Sequence, residues 1–256
     1  GPIIQHWQKE GLLAKKDDKK NWVLRLRSIL GVENLTVIPS LQINAAFRAS
    51  NSNAINPYIL FAWIKLCEMA VSRQFLQGSL DLERLKDSLP AIRHLMFADA
   101  GVLQKELAGI FGGCGIKFCI VPNFKGAPVQ GFIEKNADNE MILCMAIRQK
   151  YADIFWFSLL HEVGHIIRGD ISACFIDFPD ASDEKERRAD EFAKNVLIPS
   201  SSYENFLRSG DMSLDSIKKF ATSIEVPPYI VIGRLQKENL IPCNRFANEK
   251  LRFDWA

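Results

Sequence analysis

The residues best suited to chemistry are the five from His161 to His165, which read His-Glu-Val-Gly-His. On an α-helix, side chains four positions apart lie on the same face, so His161 and His165 can reach one metal ion. Imidazole nitrogens bind zinc at about 2.0–2.1 Å, and Glu162 is placed to act as a general base on a metal-activated water. A surface helix with two chance histidines is the alternative interpretation, and a third ligand downstream would favour the metal site.

A candidate for that third ligand is Glu186, which opens the segment ERRADEFA. Glu186 and Asp190 are four positions apart and share one face of a predicted helix. Glu186 would complete a His₂Glu set with one open position, and Asp190 would accept a hydrogen bond from the ring N–H of a ligand histidine. This arrangement resembles the ExxxD pattern of thermolysin-like gluzincins. The alternative is a solvated acidic face, because Asp183, Glu184 and Glu191 lie nearby.

The sequence does not identify the group that would stabilise a tetrahedral oxyanion. By residue type alone, Tyr203 and His94 are the candidates. His94 lies in a predicted helix beside Leu95 and Met96, which favours a core or surface position. Tyr203 follows Pro199 and three serines, so it is a candidate for facing the cleft.

Apolar spacing, caps and breakers predict the elements that position these side chains. Asn56-Pro57 is typical of a helix start, with asparagine as the cap and proline in the first turn. Continuous apolar runs that end at Pro122 and Ile147 predict a small, partly antiparallel sheet within 115–147. The predicted helices are 22–30, 57–73, 80–89, 101–111, 151–167, 183–197, 213–224 and 229–238, and the predicted strands are 116–121, 129–133 and 141–147.

The composition is that of an ordinary globular protein, with 48% hydrophobic and 24% charged residues among 256. The net charge of +2 gives no strong field for nucleic acid or an anionic membrane. No apolar run is long enough to span a bilayer, so we expect no membrane partner. The six cysteines show no CxxC spacing, which is typical of reduced thiols in a cytoplasmic protein.

The chain resembles the ImmA/IrrE family of zinc metallopeptidases in the segments FSLLHEVGHIIRGD, EKERRADEFAKNVLIPSSSY and VPPYIVIGRLQKENLIP. Through AAFRAS and NPYILFAWIKLCE it is also similar to members that carry an Xre-type helix-turn-helix ahead of the peptidase, often labelled HigA-like antitoxins. The resemblance implies a Zn²⁺ cofactor and cleavage of a repressor protein, or a regulatory role beside it. The DNA-binding helix-turn-helix is not found here, and the opening Gly1-Pro2 fits a trimmed chain. We therefore expect contact with DNA only through that missing segment.

These observations predict an α+β fold in two parts. Residues 1–95 are expected to form a helical connector, and residues 96–256 a zincin-like metallopeptidase domain that includes short C-terminal helices. The sheet should pack against the helix of 151–167, with the Glu186 helix crossing beneath it. An extended substrate could add as a strand at the sheet edge, which we assign to Val129–Ile133. The polar residues 1–20 are expected to lie outside the core.

Two functions remain open. The first is a zinc endopeptidase acting on a protein regulator such as a transcriptional repressor, or on its own regulatory partner, with Glu162 passing a proton from water to the leaving amine. The second is a transcriptional regulator or antitoxin whose peptidase-like domain serves as a sensor or partner-binding module with little proteolysis. A third, weaker hypothesis is DNA binding through the C-terminal helices, where Arg234 and Lys237 could reach phosphates. A homodimer is left open.

Overall fold

The computed structural model describes residues 2–40, 56–76, 78–127, 129–136, 138–147, 150–171, 174–177 and 184–253. Within these residues helices surround a small sheet, which confirms the predicted α+β class. The helices are α1 (Pro2–Lys9), α2 (Lys19–Leu30), α3 (Pro57–Val71), α4 (Leu82–Asp87), α5 (Leu89–His94), α6 (Ala100–Gly113), α7 (Ala152–Arg168), α8 (Glu184–Leu197), α9 (Ser200–Arg208), α10 (Leu214–Ser223) and α11 (Pro228–Lys237). The strands are β1 (Ile116–Pro122), β2 (Gly131–Lys135), β3 (Met141–Ile147) and β4 (Cys174–Asp177). Short 3₁₀ helices occupy Leu35–Ser40, Leu95–Phe97 and Ala247–Glu249.

Several helix ends follow the predicted capping residues. The side chain of Asn56 accepts hydrogen bonds from two backbone N–H groups in the first turn of α3, and Gly31 ends α2 in the left-handed conformation. The predicted helix 80–89 ends at Asp87, and Pro90 lies in the first turn of the next helix, α5, where a missing N–H leaves no bond unmade. Asp183, where the predicted helix 183–197 begins, lies outside the described residues. Helix α9 has no counterpart among the predicted elements.

The sheet has the strand order β1-β3-β2-β4. Strands β1 and β3 run parallel, whereas β2 is antiparallel to both β3 and β4, which confirms a partly antiparallel sheet. The prediction that Val129–Ile133 forms the sheet edge is wrong, because the observed strand starts at Gly131 and is paired on both sides. Strand β4, which pairs with β2 at the edge of the sheet, has only four residues. This is too short for the two-residue alternation that identifies a strand in a sequence.

Helices cover both faces of this sheet. Alternate strand residues such as Phe118 and Leu143 pack in the cluster that contains α7, and the intervening residues, such as Cys119 and Cys144, pack in the cluster that contains α3. Burial on both faces explains why β1 and β3 read as nearly continuous apolar runs.

Helix α1 belongs to the core, so the expectation that residues 1–20 lie outside it is wrong for this helix and for Leu13, which is buried in the same cluster. Ile3 and Trp7 are buried in the same cluster as α3. A helix of eight residues is not stable alone, so this packing is what holds it. The lysines of 15–20 that follow are exposed, as the sequence predicts. The division between residues 95 and 96 stays a prediction.

Other features of the described residues agree with the composition. Four free thiols are buried (Cys67, Cys114, Cys119 and Cys144), while Cys243 is free and exposed. None of the helices in the described part of the chain combines the length and apolar character needed to traverse a bilayer.

Candidate metal centre

Helix α7 carries the His-Glu-Val-Gly-His segment through the core. Apolar residues at helical spacing, among them Trp156 and Leu159, bury the helix on several sides. As a result His161 is only 5% exposed, and Glu162 and His165 are completely buried. Polar or charged side chains buried this deeply need hydrogen-bond partners or an opposite charge, because burial without them costs free energy.

Small residues bring helix α8 close to α7. Ala189 and Ala193 are completely buried at the contact, and their small side chains allow the two helices to approach closely. Gly164 also contributes, because a Cβ atom there would lie 3.0 Å from Phe192 Cδ1 and 3.4 Å from Ala189 Cα. This approach positions Glu186, in the first turn of α8, over the two histidines of α7.

The three predicted ligands meet at one point. Nε2 of His161 lies 3.1 Å from Nε2 of His165 and 3.0 Å from Oε2 of Glu186, and His165 Nε2 lies 3.4 Å from Glu186 Oε1. In a tetrahedral site with metal–ligand bonds of 2.0–2.1 Å, neighbouring ligand atoms are about 3.3 Å apart. The largely buried group of His161, His165 and Glu186 could therefore hold a metal ion.

Each histidine is oriented by a carboxylate on its other ring nitrogen. His161 Nδ1 lies 2.9 Å from Asp190 Oδ1, and His165 Nδ1 lies 3.3 Å from Asp170 Oδ2. A carboxylate beside Nδ1 favours the hydrogen on that nitrogen and leaves Nε2 as an acceptor. The two Nε2 atoms and the Glu186 carboxylate then face one another as electron-rich groups. A cation between them, either a metal ion or a proton, removes the repulsion among these groups.

Glu186 is ionised in this setting. Burial raises the pKa of its carboxyl group, but hydrogen bonds and positive charge from the protonated forms of His161 and His165 lower it further, to about 2, and a metal ion in place of those protons would act in the same direction. The carboxylate is therefore available as an anionic metal ligand at neutral pH.

Asp170 was missed by the sequence reasoning, although its position follows from the helix end. Gly169 closes α7 with φ 69°, and the backbone N–H of Asp170 donates to the carbonyl of His165, which is the pattern of a Schellman cap. This cap turns the chain back, so that Asp170 comes beside the histidine five positions earlier. The signal in the sequence is the Gly-Asp pair directly after the helix.

Gly131 was also missed, and it is in direct contact with Glu162. A Cβ atom at Gly131 would overlap the Glu162 carboxylate, so only glycine leaves this space free. One turn earlier on α7, the hydroxyl of Ser158 donates a hydrogen bond of 2.9 Å to Oε1 of Gln130. Residues 130 and 131 therefore line the face of α7 that carries Glu162.

The two oxyanion candidates make other contacts. The hydroxyl of Tyr203 donates a hydrogen bond of 2.7 Å to Glu238, and the guanidinium of Arg234 lies 3.8 Å from the centre of its ring. Burial and the neighbouring Glu238 raise the pKa of Tyr203. These contacts place Tyr203 in the packing of α9 against α11, whereas His94 is exposed at the end of α5, with its ring near Phe97.

The chemical assignment of this site rests on the arrangement of its own residues. Comparison of the chain with protein-family models and with curated proteins gives no match. What the geometry establishes is a largely buried His₂Glu group that could hold a metal ion, with an acidic residue, Glu162, next to the first histidine.

Proposed function

We propose that the protein is a zinc-dependent endopeptidase with a zincin-like domain of the ImmA/IrrE type. Its substrate would be a protein regulator such as a transcriptional repressor, or its own regulatory partner. One observation carries the proposal: the ligand atoms of His161, His165 and Glu186 lie 3.0–3.4 Å apart on two packed helices. Glu162 extends from the same helix as the two histidines.

The donor set fits zinc better than calcium or magnesium. Two imidazoles and one carboxylate are the ligands of many hydrolytic zinc sites, whereas calcium and magnesium prefer oxygen atoms alone. When bound, the ion would supply Lewis acidity toward a water molecule and a peptide carbonyl.

The chain's own residues would provide the rest of the catalysis. Glu162 would take a proton from the attacking water and later give it to the leaving nitrogen. Gly131 leaves the space that the Glu162 carboxylate needs. Asp190 and Asp170 would hold the two imidazoles in one orientation, which reduces the reorganisation needed during the reaction.

A second function is favoured by the burial of the site. Glu162 and His165 have no exposed surface in this structure, so a substrate cannot reach them without a local opening. This enclosure is compatible with a transcriptional regulator or antitoxin in which the peptidase-like domain senses a signal or docks a partner with little proteolysis.

The test uses the purified chain, zinc and candidate repressor proteins, with fragments detected by mass spectrometry. We expect the wild type to contain one zinc ion per chain and to cleave one of them, Glu162→Gln to keep the zinc but not cleave, and His161→Ala to lose the zinc. Glu191→Gln, on the exposed side of α8, is the matched control and should behave as wild type. If wild type and Glu162→Gln bind a partner equally tightly and neither cleaves it, the regulator hypothesis replaces the peptidase.

A further inference from the structure

Arg234 lies in α11, where its side chain is only 16% exposed and binds the end of another helix. Its Nη1 donates hydrogen bonds of 3.2 Å to the carbonyl of Ile198 and 3.5 Å to the carbonyl of Lys194. Helix α8 ends at Leu197, so one carbonyl belongs to its last turn and the other to the residue that follows it. The last carbonyls of a helix attract cations, because they carry the negative end of the helix dipole. Arg234 therefore caps α8 from a neighbouring helix.

The guanidinium of Arg234 is held on its other sides as well. Its Nε donates a hydrogen bond of 3.0 Å to Glu238, and it lies 3.8 Å from the centre of the Tyr203 ring. Although the sequence made Arg234 a candidate for reaching phosphates, the structure engages its guanidinium within the protein. The planar guanidinium is preorganised for several directed hydrogen bonds, so Arg234 can fix the groups around it.

Helix α11 also packs against the start of α7. A Cβ atom at Gly233 would lie 2.3 Å from Oδ2 of Asp153, which is in the first turn of α7. The residue next to Arg234 therefore contacts the first turn of α7, while Arg234 itself binds the last turn of α8. In this way α11 joins the beginning of one helix to the end of the other.

The candidate metal site holds the same two helices together at a different level. Asp153 precedes His161 by eight positions in α7, and Glu186 precedes Lys194 by eight positions in α8. Eight helical residues span roughly 12 Å along the axis. The two helices therefore run in opposite directions, with the metal site at one end of their contact and Arg234 at the other.

The middle of the contact between α7 and α8 is made by small residues, namely Gly164, Ala189 and Ala193. Small side chains permit a close approach but form low ridges, so they resist sliding less than large, interdigitating side chains do. Hydrogen bonds at the end of a helix are broken when that helix shifts along its axis. Arg234 is therefore well placed to determine how far α8 extends along α7.

We propose that Arg234 is a positioning residue for Glu186. By tying the carboxyl-terminal end of α8 to α11, it holds α8 at the axial position where the Glu186 carboxylate meets His161 and His165. The inference rests on the proposed zinc site, and it adds to that site a residue from the opposite end of α8.

The zinc affinity of the purified chain measures this role without any substrate. Arg234→Met keeps an unbranched side chain but removes the hydrogen bonds, so we expect zinc binding to weaken about tenfold in competition with a chromogenic chelator. Arg234→Lys keeps the charge but not the planar fork, and should bind zinc about threefold more weakly than wild type. Bound Co²⁺ should have a changed visible absorption spectrum in Arg234→Met, because the spectrum depends on the coordination geometry.

Arg93→Met is the matched control. Arg93, in α5, donates a hydrogen bond of 2.7 Å to the carbonyl of Ile224 at the end of α10, so it also binds one helix end from another helix. The candidate ligands come from α7 and α8, not from α5 or α10. We expect both methionine variants to lower Tm by about 5 °C, whereas Arg93→Met should keep its zinc affinity within about twofold of wild type.

A double-mutant cycle separates positioning from a general loss of stability. If Arg234 acts through Glu186, Arg234→Met should weaken zinc binding by less than about twofold once Glu186→Gln is present. An equal loss in both backgrounds, or an equal effect of Arg93→Met, would overturn the inference, because Arg234 would then only stabilise the fold.

The same measurements keep the inference apart from the proposed function. If the wild type binds no zinc, the metal site itself has failed, and the inference fails with it. If the wild type binds zinc but cleaves no protein, the endopeptidase function has failed, while the zinc affinities of the Arg234 variants still decide whether this residue positions Glu186.

Discussion

Gly131 of β2 lies directly against the carboxylate of Glu162 on α7, and the space between the sheet and the helix leaves no room for a methyl group at that position. The position of Glu162 is therefore set by a strand as well as by its own helix. Gly131→Ala must push either the strand or the carboxylate aside. Because a displacement of about 1 Å in a catalytic group can cost a hundredfold in rate, we expect kcat to fall by about that factor while the zinc content stays at wild-type level.

Gly109 is the matched control for this substitution, because it lies in α6 with open space around the position of its Cβ. Gly109→Ala should leave cleavage unchanged and raise the free energy of unfolding by about 0.5–1 kcal/mol. Activity assays and denaturant unfolding distinguish the two variants. Wild-type kcat in Gly131→Ala would show that Glu162 is not held by β2.

The carboxylates behind the histidines should influence metal affinity. Asp190→Asn and Asp170→Asn each replace the carboxylate that orients one imidazole by a neutral amide, so we expect the affinity for zinc to fall by about 10- to 100-fold in each variant. Competition with a chromogenic chelator measures this change. Asp87→Asn, at an exposed position in α4, should bind zinc as wild type does, and equal affinity in all three variants would contradict the assigned roles.

Metal removal should lower the stability of the folded chain. A ligand present at a hundredfold excess over its Kd stabilises the native state by about 2.7 kcal/mol, which corresponds to about 5–10 °C in Tm for a chain of this size. We therefore expect a chelator to lower Tm by that amount in the wild type. In His161→Ala, which lacks one ligand, the chelator should have little effect, and a large shift there would mean that the ion binds elsewhere.

The thiols should differ sharply in reactivity. Burial raises the pKa of Cys67 to about 11 and that of Cys144 well above its usual value, so both remain protonated at pH 8. Cys243 is exposed. We expect iodoacetamide at pH 8 to modify Cys243 in the native protein and to spare Cys67 and Cys144 until guanidinium chloride is added. Mass spectrometry of the digested protein gives the order of modification.

The sequence was most informative where a local rule determines the structure. The four-residue spacings of His161/His165 and Glu186/Asp190 predicted shared helix faces, and the structure brings the three ligand atoms together. The Asn56 cap and the apolar strands β1 and β3 also follow from local sequence patterns.

Features that depend on long-range contacts could not be read from the sequence. Helix α1 is stable only because Ile3 and Trp7 find a core made by residues far along the chain, and β4 is a strand only because β2 offers a partner. The need for glycine at position 131 arises from a contact with residue 162. Tyr203 was a candidate by type, but its hydroxyl is bound to Glu238, which directly follows helix α11 much later in the chain.

Strand β4 lies in the connection between His165 and Glu186, the candidate ligands that α7 and α8 contribute. An ion bound by both His165 and Glu186 would cross-link the two ends of this connection, as a disulfide bond does. Cross-linking a loop of this length removes conformational entropy from the unfolded chain that is worth about 3 kcal/mol. Strand β4, at one edge of the sheet, would then be tethered at both of its ends, so loss of the ion should loosen this edge before it melts the core.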